Sequence, residues 1–370
     1  MKVIKFLFVA FLLVVMSCNS DDEPVTSQDN FDRKTMLINW ADNIIIPAYS
    51  DYDASLTTMQ NSVASFLQSP TTTGLQAVRN SWLTAYKKWQ HVEMFAIGKA
   101  EELTIANYTN IYPTDINEIV QNVLNGNTNL ELSSKYDEQG FPAIDYLING
   151  LADTDELIVA QYADATTGSR YKAYLTMLVD RLVSLTNAVV SDWNEGYRDT
   201  FINNNGSSAT SSTNKIVNDF ILYYESSLRA GKIGIPAGIF SGTAIPTAVE
   251  AYYYPEVSRE LFLEGLNAAM SFFNGEYYDG VGKGESLNSY LDYLTSINKG
   301  ADIASLINSQ FIVIKNTAEG LNDSFVFQIE DDNSKMLNTY DELQKLVVLF
   351  KVDMTQAMNI KIDYVDADGD

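Results

Sequence analysis

From Tyr171 onward, the apolar residues Tyr171, Leu175, Leu178, Leu182, Leu185, Val189 and Trp193 recur at steps of four, three, four, three, four and four. A period of 3.6 residues puts all of them on one stripe, whereas the two-residue period of a strand would scatter them over both faces. A long amphipathic helix is therefore fixed here, and its stripe must be buried against other helices. Met336, Tyr340, Leu343, Val347, Phe350 and Met354 form a second stripe, and Trp82, Tyr86 and Trp89 begin a third. Strand alternation is rare. "QFIVIK" imitates it but sits in a helical context, and only the tail "NIKIDYVDADGD" reads as extended. The class is all-α, built of antiparallel helices joined by loops.

Lys2 and Lys5 precede an unbroken apolar run, Phe6 to Met16. A membrane-crossing helix takes about 20 apolar residues, so this run has the length of a secretory signal core. It ends in "VVMSC", which resembles a bacterial lipoprotein box. That reading makes residues 1–17 a signal peptide and puts a lipid, and with it a membrane anchor, on the sulfur of Cys18. The alternative is a plain signal peptide with an incidental cysteine. Cys18 is the sole cysteine, so no disulfide forms within the chain despite export. Residues 18–30 are acidic, polar and interrupted by Pro24, the composition of a flexible tether. Acidic residues directly behind a lipidated cysteine resemble the surface-export signals of Bacteroidetes lipoproteins. The expected location is the outer membrane, on its periplasmic or its cell-surface side.

The remaining chain is long enough for two cores. Loop signals fall at 68–74, 125–129, 162–169, 203–213 and 274–286. The break near 165 is the expected boundary between an N-terminal bundle, 31–165, and a C-terminal bundle, 166–370. The formal charge is −24, and it becomes −26 once Lys2 and Lys5 are lost. Such a chain repels nucleic acid, which needs a basic footprint, and can attract cations.

Few residues can carry chemistry. His91 is the sole histidine, and zinc enzymes use two or three nitrogen or sulfur ligands; it reads as a solvated or capping residue. Glu93 continues the Trp82, Tyr86, Trp89 spacing by four more residues, which puts a carboxylate on an apolar face. There it must pair with a cation, accept a tyrosine hydroxyl or bind a metal. In "GFPAIDYLING", Pro142 suits a first helical turn, and Asp145 shares a face with Phe141 and Ile148. "DADGD" opens like a calcium loop but lacks its closing ligands, and reads as an acidic tail. "RAGKIGIPAG" lacks phosphate-loop spacing and reads as a bundle connection shaped by Pro236 and Gly238.

Several segments together resemble the imelysin family. These are "SWLTAYKKWQHVEMFAIG" (81–98), "IYPTDINEI" (111–119), "GFPAIDYLING" (140–150), "GKIGIPAG" (231–238), "VEAYYYPEVSRELFLEGLNAAMSFFNG" (249–275) and the C-terminal "LFKVDM" and "DYVDADGD". The resemblance implies duplicated four-helix bundles in tandem, an extracytoplasmic location and a link to iron uptake; some members are classed as metallopeptidases. The family's metal motif is Gly-x-His-x-x-Glu. In this chain Gly140 matches, Pro142 stands at the histidine position and Asp145 at the glutamate position. Proline offers no side-chain donor or acceptor, so the expected protein is a non-enzymatic binding component for iron or another metal. An outer-membrane transport system is its expected partner. The alternatives are a hydrolase with a degenerate site and a scaffolding lipoprotein. Asp145, Glu93 and Glu250 are the expected metal ligands, an all-oxygen set suited to iron or another hard cation.

Overall fold

The structure is a computed structural model that describes residues 29–127, 129–298 and 300–364. The expected signal peptide, Cys18, most of the expected tether and the "DADGD" tail lie outside the described residues. The described residues from Phe31 onward constitute one compact unit.

The helices that matter here are α1 (33–68), α2 (Thr72–Trp89), α3 (Ile116–Asn125), α4 (140–150), α5 (Asp155–Ala163) and α6 (Gly168–Asn203). They are followed by α7 (212–237), α8 (Ser258–Asn274), α9 (Leu287–Asn298), α10 (Ile303–Glu319), α11 (Phe325–Asp332) and α12 (334–358). No strand occurs among the described residues, only one isolated antiparallel bridge between Glu276 and Lys283. Local chemistry sets the helix starts. Asp32 accepts the backbone N–H of Thr35 at 3.1 Å and Thr71 Oγ1 that of Gly74 at 3.1 Å, each satisfying a donor that a helix terminus leaves without an intrahelical partner.

The stripes read from the sequence face inward. Leu175, Leu178, Leu182, Val189 and Trp193 of α6 are buried, as are all six stripe residues of α12. "QFIVIK" is helical, within α10. The tail expected to be extended turns at Asn359, φ +52°, and runs on without regular structure over 360–364, where asparagines of α7 hold it: Asn214 Oδ1 accepts from Lys361 N–H and Asn218 Oδ1 from Asp363 N–H.

Packing runs across the break near 165. Helix α6, expected to open a C-terminal bundle at 166, packs instead against α1, with α4 and α5 also against it. Its apolar stripe completes the core that α1 and α2 begin. Helices α7, α8, α10 and α12 pack on one another, so packing partners change at the loop 204–211. "RAGKIGIPAG" is likewise not a connection. It continues α7 through widened turns at Tyr223–Gly234, and the helix ends at Gly238, φ +85°. Aromatic contacts join the two groups: the Phe272 ring of α8 lies 5.0 Å from Trp40, 5.2 Å from Phe95 and 5.3 Å from Phe220.

Candidate functional site

The stretch 140–150 owes its shape to packing. Gly140 has φ +77°, and a Cβ there would lie 2.2 Å from the carbonyl oxygen of Thr109. Only glycine tolerates both the dihedral and the contact. The chain then enters α4 with Phe141 stacked on Tyr86, ring centroids 4.4 Å apart, and with Phe141 O accepting from Trp82 Nε1 at 3.2 Å. Residues 140–148 are all buried. Pro142 and Asp145 line one side of a cavity of about 270 Å³, whose other walls include Tyr112, Pro113, Tyr252 and Tyr253. Asp145 accepts the backbone N–H of Tyr253 at 2.9 Å and Asn149 Nδ2 at 2.8 Å. Burial nevertheless pushes its carboxyl up to about 7, against those hydrogen bonds and the more distant charge of Arg79.

On the other side of Tyr112, which lines both spaces, lies a second cavity of about 290 Å³ containing Glu93. Glu93 does not sit on helix α2. The helix ends at Trp89, and Glu93 occupies the following turn, its N–H on Trp89 O. The carboxyl is buried all the same, because the turn folds under the core with Val92, Met94 and Phe95. Its Oε2 is buried without a hydrogen-bond partner. Burial pushes Glu93 up to about 7; Lys232 pulls it down, Glu250 pushes it further up, and the nearby Ser227 and Trp89 side chains pull it down, although neither reaches Oε2 with hydrogen-bond geometry.

Glu250 is committed to the protein itself. Lys232 Nζ reaches its two oxygens at 2.6 and 2.5 Å, and Asn110 Nδ2 and Gln90 Nε2 donate to Oε1 at 2.9 and 3.3 Å. Tyr86 Oη holds Asn110 from behind, donating to Oδ1 at 2.5 Å. Both partners of the ion pair are almost fully buried. A pair removed from water is tolerable only with such dense hydrogen bonding.

The three expected metal ligands therefore do not form one site. Glu93 and Glu250 are neighbours across Lys232, Asp145 lies beyond Tyr112, and among the described residues no group of three or more His, Cys, Asp or Glu side chains is placed to hold a metal ion. The physical reason is charge: Lys232 neutralises Glu250 internally. His91 is half-buried, 3.4 Å from Glu264 and edge-on to Tyr278, away from both cavities. Sequence reasoning missed Lys232, Asn110 and Gln90. The available signal was a lysine enclosed by apolar residues in "AGKIGI", which needs a buried anion if that segment is helical and internal.

Comparison with known proteins bears on this arrangement. The Imelysin family model matches residues 45–350. An iron-regulated protein A of Synechococcus elongatus is 28% identical over 76 residues, which is 20% of this chain and 21% of that protein; the match thus spans about a fifth of the relative. A solved structure described as an iron-regulated protein A precursor, from Parabacteroides distasonis, superposes with a TM-score of 0.71 at 15% identity, covering 88% of this chain and 94% of that one. An imelysin-like protein of Psychrobacter arcticum gives a TM-score of 0.67 at 19% identity, covering 90% and 97%. These two likenesses carry the fold. With the family model spanning both packing groups and both cavities, the chain belongs to the imelysin family.

Proposed function

We propose that this protein is an envelope lipoprotein of the outer membrane, anchored through Cys18, that binds an iron chelate or a related hard-cation complex for uptake and does not hydrolyse peptides. One observation carries this reading. The first turn of α4 opens onto a tyrosine-walled cavity with Pro142 where an imidazole would ligate, and a buried carboxyl, Asp145, at its base. A carboxylate has about four lone-pair sites. Asp145 uses its two oxygens for one hydrogen bond each, so it retains capacity toward a bound complex. Tyrosine and carboxylate oxygens suit a hard cation delivered already chelated. The names of the Synechococcus and Parabacteroides relatives, which speak of regulation by iron, support an iron connection.

Two assays test the proposal side by side. Equilibrium dialysis against ferric citrate is expected to retain iron with the wild type and lose retention with Tyr253→Ala, which removes one cavity wall. Incubation with denatured casein and Fe²⁺, Zn²⁺ or Ca²⁺ is expected to give no cleavage. Metal-dependent cleavage abolished by Asp145→Asn would replace the proposal with the hydrolase reading.

A further inference from the structure

The Glu93 cavity has a chemistry of its own. Its polar wall is Glu93, Asn107, Asn110, Ser226 and Ser227, and Ala106, Ile111 and Ile235 supply apolar surface. Ile235 is 42% exposed, and Asn107, Ile111 and Tyr112 are part-exposed, so these residues form the way in. At the inner end Glu93 Oε2 is buried and makes no hydrogen bond. Leaving a buried acceptor unmet is unfavourable, a deficit that a donor-bearing ligand removes.

The charges decide what kind of ligand. Lys232 carries one positive charge and is bonded to Glu250 through both oxygens. With Glu93 ionised the cluster holds two carboxylates against one ammonium, which leaves a single negative charge. A multivalent metal ion prefers several anionic oxygens, but here only Glu93 faces the cavity, the remaining donors are neutral, and the Lys232 ammonium lies behind it. A volume of about 290 Å³ also exceeds the needs of a bare ion. We propose that the Glu93 cavity binds a small organic monocation, an alkylammonium whose charged end meets Glu93 Oε2 and whose stem lies along Ile111 and Ile235. This site is distinct from the cavity of Asp145 and goes beyond the iron-chelate reading.

Binding is coupled to a proton. Besides Lys232 and Glu250, the titratable groups facing Glu93 are Tyr52, Tyr86, Tyr112 and Tyr223, all held by burial well above the ordinary phenol range. None of these phenols changes charge near neutrality. Glu93, with its carboxyl raised to about 7, must ionise to receive the cation, so affinity falls as pH drops below about 7 and binding releases a proton there.

Calorimetric titration of the purified protein with n-butylammonium, and with n-butanol as the neutral isostere, tests this. The expected result is saturable binding of the ammonium at least tenfold tighter than the alcohol. At pH 6.5 the heat should vary with the ionisation enthalpy of the buffer. Glu93→Gln should weaken binding at least tenfold and remove the buffer dependence. Ile235→Trp, a change at the exposed mouth that leaves every charge in place, should weaken it comparably and decides the matter if Glu93→Gln does not fold. Asp145→Asn should leave butylammonium affinity within twofold. Equal affinity for the alcohol, an unchanged affinity in a folded Glu93→Gln or in Ile235→Trp, or Ca²⁺ or Fe²⁺ binding where butylammonium does not, overturns the proposal.

Discussion

Three residues show how context assigns a role that residue type leaves open. Gly140 reads in the sequence as the glycine of a metal motif, yet its geometry is steric. Gly140→Ala forces a Cβ into a positive φ and to within 2.2 Å of the Thr109 carbonyl oxygen, so a loss of about 3 kcal/mol is expected in urea unfolding, combining backbone strain with overpacking. Lys232→Met leaves the Glu250 carboxylate buried and uncompensated, at a cost of about 3–5 kcal/mol, and adding Glu250→Leu should recover much of it because an apolar pair replaces a desolvated one. Recovery absent from chemical denaturation would mean the network does more than neutralise itself. Asp145 behaves differently. Its carboxyl rises from 3.8 in the unfolded chain to about 7 in the fold, so the native state holds the proton more tightly. Its contribution to stability is full below pH 4 and declines as pH rises from about 4 to 7. Asp145→Asn should therefore show a flatter stability profile across that window. A profile parallel to wild type would place the Asp145 titration elsewhere. In the sequence, Glu93 and Asp145 were legible as buried acids from their positions beside aromatic residues. That Glu250 already had a partner was not, since Lys232 lies eighteen residues away along the chain and their meeting depends on how α7 folds back.

At the scale of elements, long apolar periodicity was the reliable guide. Helices α2, α6 and α12 stand where the stripes required them. What failed was extrapolation past a terminus. The three-four spacing that ran through Trp89 to Glu93 crosses the end of α2, and the burial of Glu93 comes from the turn beneath it. The order of stripes also says nothing about partners: α6 follows the break at 165 but packs backward on α1, because its stripe fits the core already begun. The segment 275–286 illustrates a non-periodic element that one side chain pins at both ends. Asn39 of α1 is buried, and its Nδ2 donates to Gly275 O at 3.2 Å and to Glu285 O at 3.0 Å. Asn39→Ala takes this donor from Glu285 O and leaves Gly275 O with the Gly284 N–H alone, and an unmet buried group costs about 1–3 kcal/mol. Hydrogen exchange is expected to accelerate across 275–286 while α6 remains protected; uniform acceleration would show that Asn39 supports global rather than local stability.

On the scale of the whole molecule, both packing groups share aromatic contacts around Phe272, and the region from Phe31 is one compact unit. Thermal unfolding is expected to proceed in one transition, and a chain nicked within 204–211 should keep its two fragments associated under native conditions. Two resolved calorimetric peaks would show that the groups are energetically independent. The all-α class and the family were legible from the stripes and from the ordered segments that resemble imelysins. The convergence of the acids was not, because one chain's spacing gives no distances across a fold. The account comes down to whether the tyrosine-walled cavity over Asp145 still holds a metal complex without the motif histidine. Isothermal titration of ferric citrate into wild type, Asp145→Asn and Glu93→Gln tests that most directly. Saturable binding weakened at least tenfold in Asp145→Asn and unchanged in Glu93→Gln is the predicted result; heats that are flat in wild type, or identical in wild type and Asp145→Asn, would contradict it.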